Sequence, residues 1–159
     1  MIDRFHWVVP GKLAGMSLPG RVALLVDDLH EVRGKGIRAV ATLTEDPLET
    51  RTMAASGLES RHFPIEDFDV PTLDQAADFC RWVDEQLAAN RPVAAHCFAG
   101  LGRTGLMIAC WLVREPGTST ETVLRSIRRI EPGFVQTPQQ EAFVAVWEST
   151  WRRGLKPAG

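Results

Sequence analysis

The feature that most constrains this chain is a junction near residue 97. Residues 92–95 are short and apolar, and they run directly into His96-Cys97-Phe98-Ala99-Gly100-Leu101-Gly102-Arg103-Thr104-Gly105. Residues 106–113 are then continuously apolar. A short apolar run read as a strand, a glycine-rich loop and an apolar helix place this junction in the interior, with residues 92–95 as the innermost strand.

The surrounding chain agrees. Strand-like and helix-like segments alternate through the first two thirds, and the last third reads as helices alone, the pattern of an α/β domain. The spacing predicts a short strand over residues 12–16 and a helix over 18–33, with Val22, Leu25, Val26, Leu29 and Val32 on one face and Gly34 and Gly36 ending it. Residues 37–43 read as a buried strand, Thr44-Glu45-Asp46-Pro47 as a turn with Pro at a helix start, and a short helix runs to Ser56. Residues 59–65 read as a strand, and the acidic run Glu66-Asp67-Phe68-Asp69-Val70-Pro71 as an exposed loop. Thr72 caps a helix reaching about Asn90, helices over 118–130 and 137–152 follow, and the tail from Gly154 is expected to fray.

Composition narrows the class. A length of 159 residues predicts one domain over residues 1–159, large enough to bury a core without disulfides or a structural metal. Eighteen Lys and Arg against 20 Asp and Glu give a formal charge of -2, so nothing favours nucleic acid or an anionic membrane, and any affinity for anions must be local. Without an apolar leader or a bilayer-length apolar run, the expected location is the cytoplasm. Cys80, Cys97 and Cys110 form neither an even disulfide set nor a C-x2-C metal pair, which fits a reducing compartment.

The Cys97 loop carries the chemistry. A phosphate-accepting thiol must ionise at neutral pH and have a dianion neutralised beside it. Gly100 and Gly102 let the backbone curl so that successive N–H groups face inward, and the helix beginning near Thr104 adds its positive end. Arg103 supplies a planar fork that grips two phosphate oxygens, and the same cation favours a neighbouring thiolate. A leaving oxygen needs a proton, so a carboxylic acid must reach the loop from elsewhere; Glu66, Asp67, Asp69 and Asp74 are candidates that spacing alone does not separate. Thr104 is placed either to hydrogen-bond the sulfur or to cap the helix. His96 points to the face opposite Cys97 and so braces the loop rather than acting as its base. Cys80 and Cys110 sit at core-facing helical positions, and Arg125, Arg128 and Arg129 read as a solvated helix face.

His96-Cys97-x-x-Gly100-x-Gly102-Arg103-Thr104-Gly105 resembles the active-site signature of the protein tyrosine phosphatase superfamily, and its short form resembles the small atypical dual-specificity phosphatases. The opening Phe5-His6-Trp7-Val8-Val9-Pro10-Gly11-Lys12-Leu13-Ala14-Gly15 and the Pro64-Ile65-Glu66-Asp67-Phe68 segment are similar to the dual-specificity phosphatase 23 subgroup. The resemblance implies an α/β single domain of the phosphotyrosine phosphatase II type, with about five mostly parallel strands flanked by helices and the site at their C-terminal ends. It implies Cys97 as nucleophile, Arg103 and the loop residues Phe98, Ala99, Gly100, Leu101 and Gly102 around the phosphate, and Asp67 as general acid. It also implies that Gln136 or Gln140, in Gln136-Thr137-x-x-Gln140, orients the hydrolytic water; a helix-opening turn is the other reading of that segment.

The expected reaction is hydrolysis of phosphate monoesters on a phosphorylated protein or peptide, phosphotyrosine first, with pocket depth deciding whether phosphoserine and phosphothreonine also reach the sulfur, and with no metal and no cofactor. Inorganic phosphate, sulfate or vanadate should occupy the loop, while nucleic acid and membranes are not expected partners. Phe98, Ala99 and Leu101 bring no Lys or Arg, which makes a highly charged phosphoinositide less attractive than a phosphoprotein. Two rival readings are a phosphoprotein-binding module using the same cradle without turnover, and sulfur transfer on a reactive cysteine.

Overall fold

The computed structural model describes residues 1–154, so most of the tail expected to fray lies outside the described residues. Five strands, β1 (His6–Val9), β2 (Leu13–Met16), β3 (Ala39–Thr42), β4 (Glu59–His62) and β5 (Val93–His96), form one sheet in the order β1-β2-β5-β3-β4. Only β1 and β2 run antiparallel; β2, β5, β3 and β4 are parallel. The junction strand β5 is therefore central, and Met16, Thr42 and His96 are level across the register.

Among the described residues six helices cover the sheet: α1 (Leu25–Gly34), α2 (Thr50–Ser56), α3 (Leu73–Ala88), α4 (Gly102–Leu112), α5 (Thr120–Ile130) and α6 (Pro138–Arg152). Successive strand residues face opposite ways, and the core divides accordingly. Leu13, Ala39, Ala41, Val93 and Ala95 pack with residues of α3 to α6, whereas Ala14, Met16, Val40 and Ala94 pack with Leu29, Val32 and Met53 of α1 and α2. Because both faces are buried, strands β2, β3 and β5 do not alternate, and β3 and β5 are apolar up to their last residues, Thr42 and His96. Helix α4, buried along nearly its whole length, lies between the sheet and α6, where Trp147 donates its indole N–H to the Cys110 carbonyl at 2.8 Å. Among the described residues no helix is long and apolar enough to cross a membrane.

Several predicted elements need correction. The helix expected over 18–33 begins only at Leu25, and Val22 and Val26 are 70% and 58% exposed. Pro19 disfavours helix at Leu18, Gly20 takes a positive φ of 82°, and the segment bonds elsewhere: Leu18 N–H donates to the Phe98 carbonyl, and Gly20 N–H to Asp28. Pro47 does not start α2; Glu49 caps it by accepting from the N–H groups of Arg51 and Thr52. The strands expected over 37–43 and 59–65 shorten to β3 and β4. Edge strand β1, half-buried and joined to β2 through Pro10 and Gly11, has no counterpart among the predicted elements.

Candidate active site

The turn between β5 and α4 builds the site. Helix α4 starts at Gly102, earlier than expected, so Arg103 and Thr104 lie in its first turn, and no side chain caps its N-terminus. The first-turn N–H groups thus face the loop without a side-chain acceptor, an arrangement suited to an anion. Gly100 has a φ of 76°, and a Cβ there would meet the Met16 carbonyl carbon and oxygen at 2.6 Å; the loop closes against β2 only because that atom is missing. At Gly105 a Cβ would meet Phe134 Cβ at 2.7 Å, which lets α4 press against the segment leading to Gln136. Cys97 is buried to 3% exposure, and Thr104 Oγ1 donates to its Sγ at 3.1 Å. Both readings of Thr104 came from its position; the hydroxyl is on the sulfur and the helix has no side-chain cap.

Arg103 is almost fully buried. Its Nη1 donates to Glu45 Oε1 at 2.5 Å and to the Ile65 carbonyl at 2.9 Å, and its Nη2 lies 3.3 Å from Asp67 Oδ1. Its Nε is buried without a hydrogen-bond partner among the described residues. Of the four acidic candidates, Asp67 is the one within ion-pair range of Arg103 among the described residues. Asp69 Oδ1 instead accepts from the Val70 N–H, and Asp74 lies in the first turn of α3. Asp67 is half-exposed, with its Oδ1 accepting from the N–H of Phe68, whose φ is 63°.

His96 lies beneath the loop, fully buried, with Nδ1 3.2 Å from the Cys97 carbonyl and Nε2 2.9 Å from Thr42 Oγ1. Burial, reinforced by Arg103 and His62, pushes its imidazole down to about 4, so it is neutral at physiological pH. Burial pushes the Cys80 thiol up to about 12 and raises that of Cys110 well above the ordinary range, so neither ionises at physiological pH.

The two glutamines part company. Gln140 is fully buried: its Oε1 accepts from the N–H groups of Gln136 and Thr137, completing the capping box of α6, and its Nε2 donates to the Asp69 carbonyl at 3.2 Å. Gln136 is exposed, and its Oε1 lies over Gly102, 2.5 Å from where a Cβ would stand. Val135 delivers it there at a φ of 61°, a costly conformation for a β-branched residue. Arg128 holds that turn by donating to the carbonyls of Phe134 and Val135 at 2.9 and 2.7 Å, so it is not a solvated cation as its helix position suggested.

Glu45 is the residue that sequence reasoning missed. Its sequence setting is that of a turn, yet its own backbone N–H, then Arg103, hold its carboxyl below the ordinary glutamate range. The available signal was positional: Glu45 follows a buried strand parallel to β5, so it emerges at the same edge as Cys97. A cleft of about 460 Å³ opens over this edge, lined by Leu18, Pro19, Glu45, Asp67, Phe98 and Arg103 among others.

A family model described as "Tc-R-P: Polymorphic toxin system, DSP-PTPase phosphatase" matches residues 14–117. The human dual specificity protein phosphatase CDC14C is 25% identical over 158 residues, covering 94% of this chain and 35% of its own length. The Caenorhabditis elegans tyrosine-protein phosphatase cdc-14 is 26% identical, covering 92% of this chain and 22% of its own. The chain thus spans about a third or less of these curated relatives. Among solved structures, the active form of Tk-PTP superposes with a TM-score of 0.82 at 30% identity, covering 94% of this chain and 99% of that one. These matches do not single out the dual-specificity phosphatase 23 subgroup suggested by the opening segment.

Proposed function

Since the chain belongs to the DSP-PTPase phosphatases, we propose that residues 1–159 act as one catalytic domain hydrolysing phosphate monoesters on proteins through a phosphocysteine on Cys97. The observation that carries this reading is the division of labour on Arg103. Its Nη1 edge is committed to Glu45 and Ile65, which fixes the guanidinium, while the buried Nε has no partner among the described residues. A buried donor without an acceptor is costly, and a phosphoryl oxygen would supply one.

In the first step Cys97 thiolate attacks phosphorus in line as the ester P–O bond breaks. Arg103 Nε and Nη2 and the inward N–H groups of residues 98–103 hold the equatorial oxygens. Asp67, already beside Nη2, gives its proton to the leaving oxygen. In the second step water attacks the phosphocysteine, Asp67 takes the water's proton, and phosphate leaves as the S–P bond breaks. Thr104 Oγ1–H stabilises the departing sulfur. Gln136 is the amide free to orient that water, because both ends of Gln140 are already engaged. Electrostatic stabilisation comes from the amides and the guanidinium, so the scheme calls for no metal.

Phosphotyrosine is the first expected substrate. A phosphoprotein-binding module would use the same cradle but has no use for an acid beside Arg103 or a hydroxyl on the sulfur. The deciding experiment is hydrolysis of p-nitrophenyl phosphate in the presence of chelator, with acid-quench trapping of labelled phosphoenzyme. Turnover blocked by vanadate and abolished in Cys97→Ser is expected. Tight phosphopeptide binding by the wild type without release of phosphate would instead establish the binding module.

A further inference from the structure

The Cys97 loop carries no Lys or Arg at Phe98, Ala99 or Leu101, yet two guanidinium groups reach its outer rim from elsewhere in the chain. Arg21 lies over the exposed Phe98 ring, 5.1 Å from its centroid, and Arg4 Nη1 donates to the Ala99 carbonyl at 3.2 Å. The first of the chain's two cations here, Arg4, is held from behind. Arg4 has a φ of 50°, with Ile2 buried on one side of it and the Asp3 carbonyl accepting from Ser17 N–H at 3.0 Å and Oγ at 2.9 Å. The next residue, Leu18, donates its N–H to the Phe98 carbonyl, so this segment and the loop are joined. Among the described residues Arg4, Phe68, Asn90 and Val135 are the non-glycine residues with positive φ, and all but Asn90 hold segments at this site. Strain of that kind persists only where surrounding structure enforces it.

Neither cation is well neutralised. Within the described residues, Arg21 has only Asp3 in ion-pair range, at a loose 3.7 Å, and Arg4 has no carboxylate partner. The loop between β3 and α2 lines the cleft beside Phe98 and Arg103 with the opposite sign through Glu45, Asp46 and Glu49. A phosphomonoester bound over Cys97 therefore lies in a field that repels a second negative group from the β3–α2 loop and draws it toward Phe98 and Ala99.

We propose that Arg4 and Arg21 form a second anion subsite beside the reaction centre, which takes the carboxylate or phosphate of an acidic or phosphorylated residue neighbouring the scissile phosphate in a peptide substrate. The subsite rests on the phosphatase reading of Cys97. Its cations are supplied by the chain's first two dozen residues, not by the loop.

The test compares kcat/KM for phosphotyrosine peptides in which one Glu is stepped through the flanking positions, each against an all-Ala parent and a Lys counterpart. Taking the ratio between peptides for each protein cancels any change in basal turnover. The wild type should favour Glu at one position by roughly two- to fivefold, the yield of an exposed charge pair, and lose that preference near 1 M salt. Arg4→Gln combined with Arg21→Gln should bring the ratio to about one, and Arg21→Glu should turn it in favour of Lys. Equal rates for Glu and Ala peptides, or a preference that survives both substitutions, overturn the subsite. A preference lost in the variants but seen only with phosphoinositide vesicles overturns its assignment to peptides. Failure of the wild type to hydrolyse even p-nitrophenyl phosphate defeats the underlying phosphatase reading, a distinguishable result.

Discussion

Mild acid should weaken this fold at one identifiable side chain. His96 is wholly enclosed beneath the Cys97 loop, and the Cys97 carbonyl beside Nδ1 can only accept, so Nδ1 carries the hydrogen and Nε2 accepts from the Thr42 hydroxyl. The unfolded chain binds a proton on this imidazole below about 6.5, whereas the folded chain resists until about 4. Between those values the unfolded state holds more protons, so the contribution is complete above about 6.5 and is lost as pH falls toward 4. At 1.36 kcal/mol per decade the full gap is worth about 3 kcal/mol, most of it gone by about pH 4.5, against a typical total of about 5–15 kcal/mol. Urea unfolding followed stepwise from pH 7.5 to 4.5, for the wild type and His96→Gln, separates this group from the carboxylates that titrate in both proteins. The wild type should lose about 2–3 kcal/mol more than the variant across that range. Parallel curves would refute the reasoning.

Gly100→Ala should lower kcat by about 100-fold or more, because the new Cβ strikes the Met16 carbonyl and the loop must shift by a sizeable fraction of an ångström; turnover within threefold of wild type would show that the loop yields cheaply. Asp67→Asn should slow substrates with poor leaving groups far more than those with activated ones, and equal defects on both would move the acid elsewhere. Glu45→Gln should leave the fold intact but weaken vanadate inhibition by roughly tenfold, since Arg103 loses the charged acceptor that fixes its Nη1 edge. Unchanged inhibition would mean that the Ile65 carbonyl alone suffices.

What could be read from the sequence follows from how local the determinants are. The residue 92–105 junction is legible because strand, glycines, arginine and helix are consecutive, so one window contains both the chemistry and its setting. Strand β1 escapes notice because its four residues are all half-buried and show no alternation. Residues 18–24 imitate a helix through the spacing of Val22 and its neighbours, but their backbone groups are bound to the Cys97 loop and to Asp28, which no periodicity reveals. Glu45 and Arg103 are 58 positions apart, and a carboxylate in a polar turn looks like any other until two parallel strands bring it to the same edge. The same holds for Arg4, 95 positions from Ala99.

Gln140 joins two jobs that are usually separate. One end of its amide closes the cap of α6 while the other holds the Asp69 carbonyl, two residues beyond the proposed acid. The acid segment is thereby fastened to a helix whose far end is anchored through Trp147, by a latch of ordinary strength. A single bond of about 0.5–1.5 kcal/mol biases the position of that segment by roughly two- to tenfold. Gln140→Glu would keep the cap and remove the latch, which makes the beginning of α6 the place from which the seating of that segment can be tuned without touching a reacting group.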